Sequence, residues 1–252
     1  MPLILIVNLA GKIAAILVAR AAPGTALALW ILPDALFLYH LLAPNAQGFV
    51  RLHRRFATTQ LAVWLTLDDG PDPEDTPRIL ALLAEHGARA TFFVIGERAA
   101  AHPQLVRDIV AAGHEVAHHT HTHPLETFWF ASRARVAREL DEGLAVLAHA
   151  GVTATRFRPP AGQKNVWLAA ALRARGLVGV GWSARGLELW PGGAPAVAAR
   201  VMHGLAPGSI LLLHEGPPVP RATRVEGLRL VLERLRERGY RCVVPTAAQL
   251  SG

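Results

Sequence analysis

Apolar residues recur along the chain with three different spacings, and each spacing predicts a different kind of element. Two nearly continuous apolar runs come first: residues 2–19, containing Asn8 and Lys12, and residues 25–42, containing Pro33, Asp34 and His40. A helix needs about 20 largely apolar residues to cross a bilayer, so both runs are near the limit and each carries a costly charge. They read as a helical hairpin that enters or crosses a membrane. Residues 1–57 then form a membrane-associated segment ahead of a catalytic domain at 58–252. No Lys or Arg stands before Lys12 and a second apolar run follows, so a cleaved signal peptide is not expected. Arg51, Arg54 and Arg55 follow the second run, which puts the main domain on the cytoplasmic side of an inner membrane.

From Leu61 the spacing changes. The runs LAVWLTL, ATFFVIG, HEVAHH, TRFRPP, LVGVGW, SILLLH and RCVVP read as strands. Between them, residues 76–86, 104–112, 132–149, 166–175, 194–204 and 223–238 repeat apolar positions at helical intervals. This alternation predicts an α/β fold with a parallel sheet, here a distorted (β/α) barrel of about seven strands preceded by the apolar hairpin.

Composition sharpens this picture in two places. A hydrophobic fraction of 52% and a mean hydropathy of +0.28 are high for a soluble chain of 252 residues, in keeping with a membrane as a partner. The net charge of +7 suits anionic lipid, nucleic acid or a phosphate-bearing substrate. Its arginines, however, sit on helix-like stretches such as RARVAREL and LERLRERGYR without interleaved aromatics, so nucleic acid is not expected as a partner. The single cysteine, Cys242, cannot form an internal disulfide and reads as a buried, inert thiol.

Barrels of this kind carry their chemistry at the C-terminal ends of the strands. The first strand ends in Asp68-Asp69-Gly70, the third in the segment 118–123 with His118, His119, His121 and His123, the fourth in Arg158-Pro159-Pro160 and the sixth in His214. Asp-Asp-Gly-Pro alone is an ordinary turn. Four imidazoles in six residues are not ordinary. Two imidazoles and one carboxylate make a three-ligand metal site with a position left for water. One Asp of the pair then binds a divalent ion, which cancels the repulsion between neighbours, and the other is free to act as a base. Spacing leaves the ligand pair open: His119 and His123 converge at i, i+4 on one helical turn, and His118 with His121 at i, i+3 is the alternative.

LTLDDGPD, HTHTH, RFRPPAG and ILLLH, in this order and at these separations, resemble the motifs of the polysaccharide deacetylase family (carbohydrate esterase family 4, the NodB-homology domains) over about residues 63–250. The resemblance implies metal-assisted removal of an N-acyl group from an amino sugar. It implies Asp69, His119 and His123 as ligands of one divalent ion, zinc foremost with cobalt, manganese and nickel as alternatives. It further implies Asp68 as general base, Arg158 as the group that orients that base, His214 as general acid and Thr120 as structural. Ala161 stands where the family usually has a tyrosine whose backbone N–H faces the oxyanion. The stretch from Trp182 to Leu189 departs from the family. It places Arg185 and Glu188 at two positions that are usually acidic, the first of which usually neighbours the motif arginine. Trp182, Arg185 and Glu188, with Ala161, are thereby assigned to substrate or oxyanion binding. Arg185 beside Arg158 is repulsive unless an anion lies between them or Glu188 compensates, so the change marks either an altered structural pair or a pocket for a substrate phosphate.

The function expected is a metal-dependent N-deacetylase or deformylase acting on a lipid-linked amino sugar, such as one carried on a polyprenyl phosphate. Two alternatives remain at this point: a deacetylase of a cell-wall or chitin-like polymer, which calls for export, and an inactive metal-binding membrane protein. The presence of Asp68 and His214 argues against inactivity.

Overall fold

Strand alternation decides which residues meet. The computed structural model describes residues 3–250. Its first strand, β1 (Ala62–Gly70), turns Val63, Leu65 and Leu67 toward a layer of helices, while Ala62, Trp64, Thr66 and Asp68 alternate onto the inner face. The other strands follow: β2 (Ala90–Val94), β3 (Glu115–His118), β4 (Arg156–Phe157), β5 (Val178–Gly179), β6 (Ala184–Arg185), β7 (Ile210–His214) and β8 (Arg241–Cys242). Seven lie parallel in the order β5-β4-β3-β2-β1-β7-β6, and β8 pairs with the start of β1. The sheet curls without joining β5 to β6. Residues 51–56 lie across the open side: the His53 N–H donates to the Gly179 carbonyl at 3.0 Å, and the Phe56 N–H to the Gly208 carbonyl at 3.0 Å.

Helices cover the outer face: α3 (Asp75–Glu85), α4 (Gly96–Ala101), α5 (Pro103–Ala111), α6 (Arg133–His149), α7 (Leu168–Ala174), α8 (Gly193–Met202) and α9 (Arg221–Glu237). Their apolar stripes pack on the outward set, joining Ile79, Val106, Leu147, Val197 and Val231 to Leu65, Phe92 and Leu211. Two features depart from the sequence pattern. The run ATFFVIG ends as a strand at Val94, because the Gly96 and Glu97 N–H groups turn to donate to the Thr120 and His121 carbonyls, each at 2.9 Å, and start α4. The run LVGVGW keeps only two strand residues in β5, and β6 forms beyond it. Residues 51–52 approach β5 closely, so position 179 takes glycine: a Cβ there would lie 2.7 Å from the Leu52 side chain and 2.9 Å from the Arg51 carbonyl oxygen.

The two N-terminal runs are helices, α1 (Leu3–Val18) and α2 (Pro23–Leu42), packed on one another. By length and composition α2 suffices to cross a membrane; α1, with 16 residues, is shorter. Their polar residues pair inside the hairpin: the Lys12 ammonium donates to Asp34 at 2.5 Å, and the Asn8 amide to Asp34 at 2.8 Å. Outward they present Leu9, Ile16, Leu17, Leu27 and Leu32. At the base, Ile4, Leu41 and Phe49 cluster with Phe37, Trp129 and Val166, which fastens the hairpin to the barrel.

Candidate active site

Asp68 reaches the inner face by alternation, and Asp69 reaches the same site by a break in it. The β1–β2 register slips between Asp68 and Gly70, and Asp69 takes a φ of 72°. This bulge re-aims one side chain, so both carboxylates face His119: its Nε2 lies 3.4 Å from Asp69 Oδ1 and 3.8 Å from Asp68 Oδ2. His123 Nε2 also lies 3.4 Å from Asp69 Oδ1. The histidine segment is no helical turn. It bends, with φ of 64° at Thr120 and 53° at His123, and the bend brings the His119 and His123 ring centroids to 4.9 Å.

Hydrogen bonds assign the imidazoles. His119 Nδ1 lies 2.7 Å from the Arg158 carbonyl, which can only accept, so Nδ1 carries a proton and Nε2 is the ring nitrogen turned to the site. His118 is used up: its Nδ1 accepts from the Thr120 N–H at 2.8 Å and its Nε2 faces the Leu140 carbonyl at 3.0 Å. His121 turns away toward Glu142. Of the two pairs that spacing left open, geometry brings His119 and His123 together with Asp69, their ligand atoms within 4.8 Å of one another. Burial and the neighbouring His119 push the His123 imidazole down to about 4, so it is neutral at pH 7. Burial pushes the Asp69 carboxyl up, and His119, with His214 and His123, more than reverses this and leaves it below the ordinary range. Two imidazoles and an ionised carboxylate suit a divalent ion.

Around these three, the other predicted residues divide. Arg158 is fully buried; it donates to Asp68 at 2.5 Å, to Thr66 Oγ1 at 2.8 Å and to the Gly181 carbonyl at 2.9 Å, and stacks on Phe93 at 4.2 Å. His214, level with Asp68 in the β1–β7 register, has its Nδ1 3.2 Å from Glu188. Burial alone would lower that imidazole, but the Glu188 carboxylate raises it to about 9. Thr120 ties the bend, its hydroxyl donating to the His119 carbonyl and accepting from the His123 N–H at 3.2 Å. Ala161 sits at φ 48°, and its N–H has no partner among the described residues. Trp182 and Ala161 line the same cavity as Asp68, Asp69 and His214, a space of about 390 Å³ with Leu189 and Trp190 at its rim.

Comparison with known proteins agrees with this fold. The polysaccharide deacetylase profile matches residues 57–180. A chitooligosaccharide deacetylase of Sinorhizobium fredii is 37% identical over 203 residues, covering 76% of this chain and 94% of the relative. The chain belongs to the polysaccharide deacetylase family. A peptidoglycan-N-acetylglucosamine deacetylase of Bacillus cereus is 33% identical over 71% of this chain and 84% of its own length. A solved family 4 carbohydrate esterase from Streptomyces lividans superposes with a TM-score of 0.67 at 30% identity, over 75% of this chain and 95% of that one.

Within this polysaccharide deacetylase chain, Arg185 does not contact Arg158. It is exposed on β6 at the open edge of the sheet and lines a second cavity. Nor does Glu188 compensate it, since that carboxylate is spent on the His214 ring and backbone N–H. Three contributors lie outside the motif reading. Glu139 on α6 accepts from the His121 and Thr122 N–H groups at 3.0 and 2.9 Å and holds the histidine bend from below. Glu215, fully buried beside His214, accepts from Thr76 Oγ1 at 2.5 Å. Lys164, also fully buried, donates to the Ala43 carbonyl and to that of Pro44 at 2.7 Å, joining the barrel to the end of α2. A Lys two residues past a Gly carries no sequence signal of burial; only the hairpin's position supplies it.

Proposed function

We propose that the protein is a metal-dependent N-deacetylase of an amino sugar carried on a membrane lipid. The observation that carries the chemistry is one cavity lined by three kinds of group: the candidate ligand set Asp69, His119 and His123, Asp68 with the buried Arg158 behind it, and the Glu188-backed His214. Asp69, His119 and His123 would hold the divalent ion, zinc foremost. Such an ion supplies Lewis acidity toward the amide carbonyl and an acidified water.

The chain's own residues do the rest. Asp68, held by Arg158, takes the proton of the attacking water as its oxygen bonds to the acyl carbon. The unpartnered Ala161 N–H lines the cavity where negative charge gathers on the acyl oxygen. His214 carries a proton at neutral pH and delivers it to the nitrogen as the C–N bond breaks, leaving a carboxylate and a free amine. Support for the membrane-linked sugar comes from the exposed apolar hairpin and from the basic residues Arg51, Arg54 and Arg55 that follow it, which favour a cytoplasmic barrel. The relatives' named substrates, chitooligosaccharides and peptidoglycan N-acetylglucosamine, support an N-acetylated amino sugar.

The test uses the full chain in zwitterionic nanodiscs with two substrates, tri-N-acetylchitotriose and a farnesyl-phosphoryl N-acetylglucosamine. Acetate release from the lipid-linked substrate, lost on chelation and restored by zinc or cobalt, is expected. Full hydrolysis by metal-stripped protein overturns the metal; hydrolysis of chitotriose alone overturns the lipid linkage.

A further inference from the structure

Beside the catalytic cavity lies a larger one of about 550 Å³, where the end of α2 meets the open edge of the sheet. Four stretches of chain line it: Tyr39 and Asn45 from the base of the hairpin, Arg54 from the segment across the open side, Arg185 from β6, and Arg200 and His203 from the end of α8. No Asp or Glu lines it among the described residues. Arg54 and Arg185 are exposed, and their guanidinium groups have neither a hydrogen bond nor an ion pair among the described residues. Arg200 is braced against the Gly186 and Leu187 carbonyls at 3.3 and 3.1 Å, which fixes its charge in place. The Asn45 side-chain oxygen is buried there without a partner.

Three guanidinium-bearing residues line one cleft that has no carboxylate, and a dianion there offsets their like charge through charge-assisted hydrogen bonds. We propose that this cleft binds a phosphate ester, and that it holds the phosphate of the membrane-lipid substrate while the N-acyl sugar occupies the catalytic cavity. The second half rests on the proposed function above; the anion site does not. Trp182 and Leu187 line both cavities, so a phosphate and the sugar attached to it lie on either side of one wall. The cleft opens at Tyr39, one turn from the end of a helix that presents Leu27, Leu32 and Leu38 outward, where a prenyl chain has apolar surface to follow. A bulk anionic headgroup has the same phosphate chemistry. The shared wall favours the substrate.

The probe is farnesyl phosphate, titrated calorimetrically against the full chain in phosphatidylcholine nanodiscs, with farnesol as the uncharged control. The wild type should prefer the phosphate at least about tenfold, as expected for one or two charge-assisted contacts. Arg54→Gln with Arg185→Gln should abolish that preference without lowering the melting temperature, and inorganic pyrophosphate should compete on the wild type, independent of any variant. The ratio of kcat/KM on farnesyl-phosphoryl N-acetylglucosamine to that on tri-N-acetylchitotriose should fall by about tenfold or more in the double variant. No phosphate preference in the wild type, or its retention in the double variant together with failure of pyrophosphate to compete, overturns the site. Loss of attachment to phosphatidylglycerol vesicles with the farnesyl phosphate preference intact assigns the cleft to bulk lipid and overturns it as well. A wild type that prefers farnesyl phosphate yet hydrolyses neither sugar sinks the proposed function and leaves the anion site standing.

Discussion

Asp68 and Asp69 are adjacent in the chain and differ in everything that decides their chemistry. Asp68 shares a buried ion pair with Arg158, whereas Asp69 faces two imidazoles. Asp68→Asn keeps the shape and one acceptor for Arg158 but cannot take a proton, so kcat should fall by roughly 100-fold to 10,000-fold. Metal content, measured by mass spectrometry on the same sample, should stay near one per chain. The change also leaves the Arg158 charge uncompensated, at a cost of about 3 kcal/mol, so a lower melting temperature is expected beside intact metal binding. Loss of metal in step with activity would reverse the roles of the two aspartates. His214 offers a separate readout. Because the Glu188 carboxylate raises its imidazole to about 9, the acid form persists through neutral pH and kcat/KM should decline only above that value. Glu188→Gln removes the supporting charge, so the alkaline limb of the pH–rate profile should move down by at least about one unit. A limb that does not move assigns the proton to another group.

At the scale of elements, much of the fold was legible because period and turn chemistry agree: six helices and the strands β1, β2, β3 and β7 lie within a few residues of the runs that predicted them. The grouping of Asp69, His119 and His123 as a candidate ligand set was legible for a weaker reason. Spacing allowed either histidine pair, and a helical turn was the supposed cause of convergence, whereas the bend at Thr120 and the bonds of His118 make the choice. What stayed hidden depends on contacts between distant segments: the first N–H groups of α4 donate to carbonyls of the histidine bend, and residues 51–52 press against β5 at Gly179. Glu215 is of this kind, since nothing in ILLLHE announces a buried acid joining β7 to α3 through Thr76. Burial raises its carboxyl to about 8, with Asp72 and Asp75 adding to the rise and Thr76 and Arg98 opposing it. A folded value above the unfolded one means that the folded state holds more protons between roughly pH 4.5 and 8, so stability falls as pH rises through that window, by up to about 1.4 kcal/mol per unit. Thermal melts of Glu215→Gln should lose this slope. A variant as steep as the wild type would place the titration elsewhere.

For the whole molecule, the proposed membrane role rests on the balance of forces in the hairpin. The nine Leu, Ile and Phe residues of α2 favour insertion by about 4 kcal/mol in sum, against about 3 kcal/mol for an unpaired Asp34 at mid-helix. Pairing Asp34 with Lys12 inside the hairpin reduces that cost, so the two helices insert together more readily than α2 alone. Removing the hairpin should therefore release the barrel, provided the cut spares its base: Phe37 and Leu41 pack with Phe49, Trp129 and Val166, and Lys164 needs the Ala43 and Pro44 carbonyls. A chain lacking residues 1–36 should stay in the supernatant after ultracentrifugation with membranes, while the full chain pellets. It should retain metal and hydrolysis of tri-N-acetylchitotriose, because the proposed ligands and proton carriers all lie between Asp68 and His214. Its rate on a farnesyl-phosphoryl sugar embedded in vesicles should drop by about 100-fold or more, since the barrel then meets its substrate from solution and loses the high effective concentration that tethering supplies. Phe130, Trp167, Leu189 and Trp190 are also exposed on the barrel. If the truncated chain still pellets with membranes in high salt, these residues hold the barrel to the bilayer and the hairpin is not the anchor.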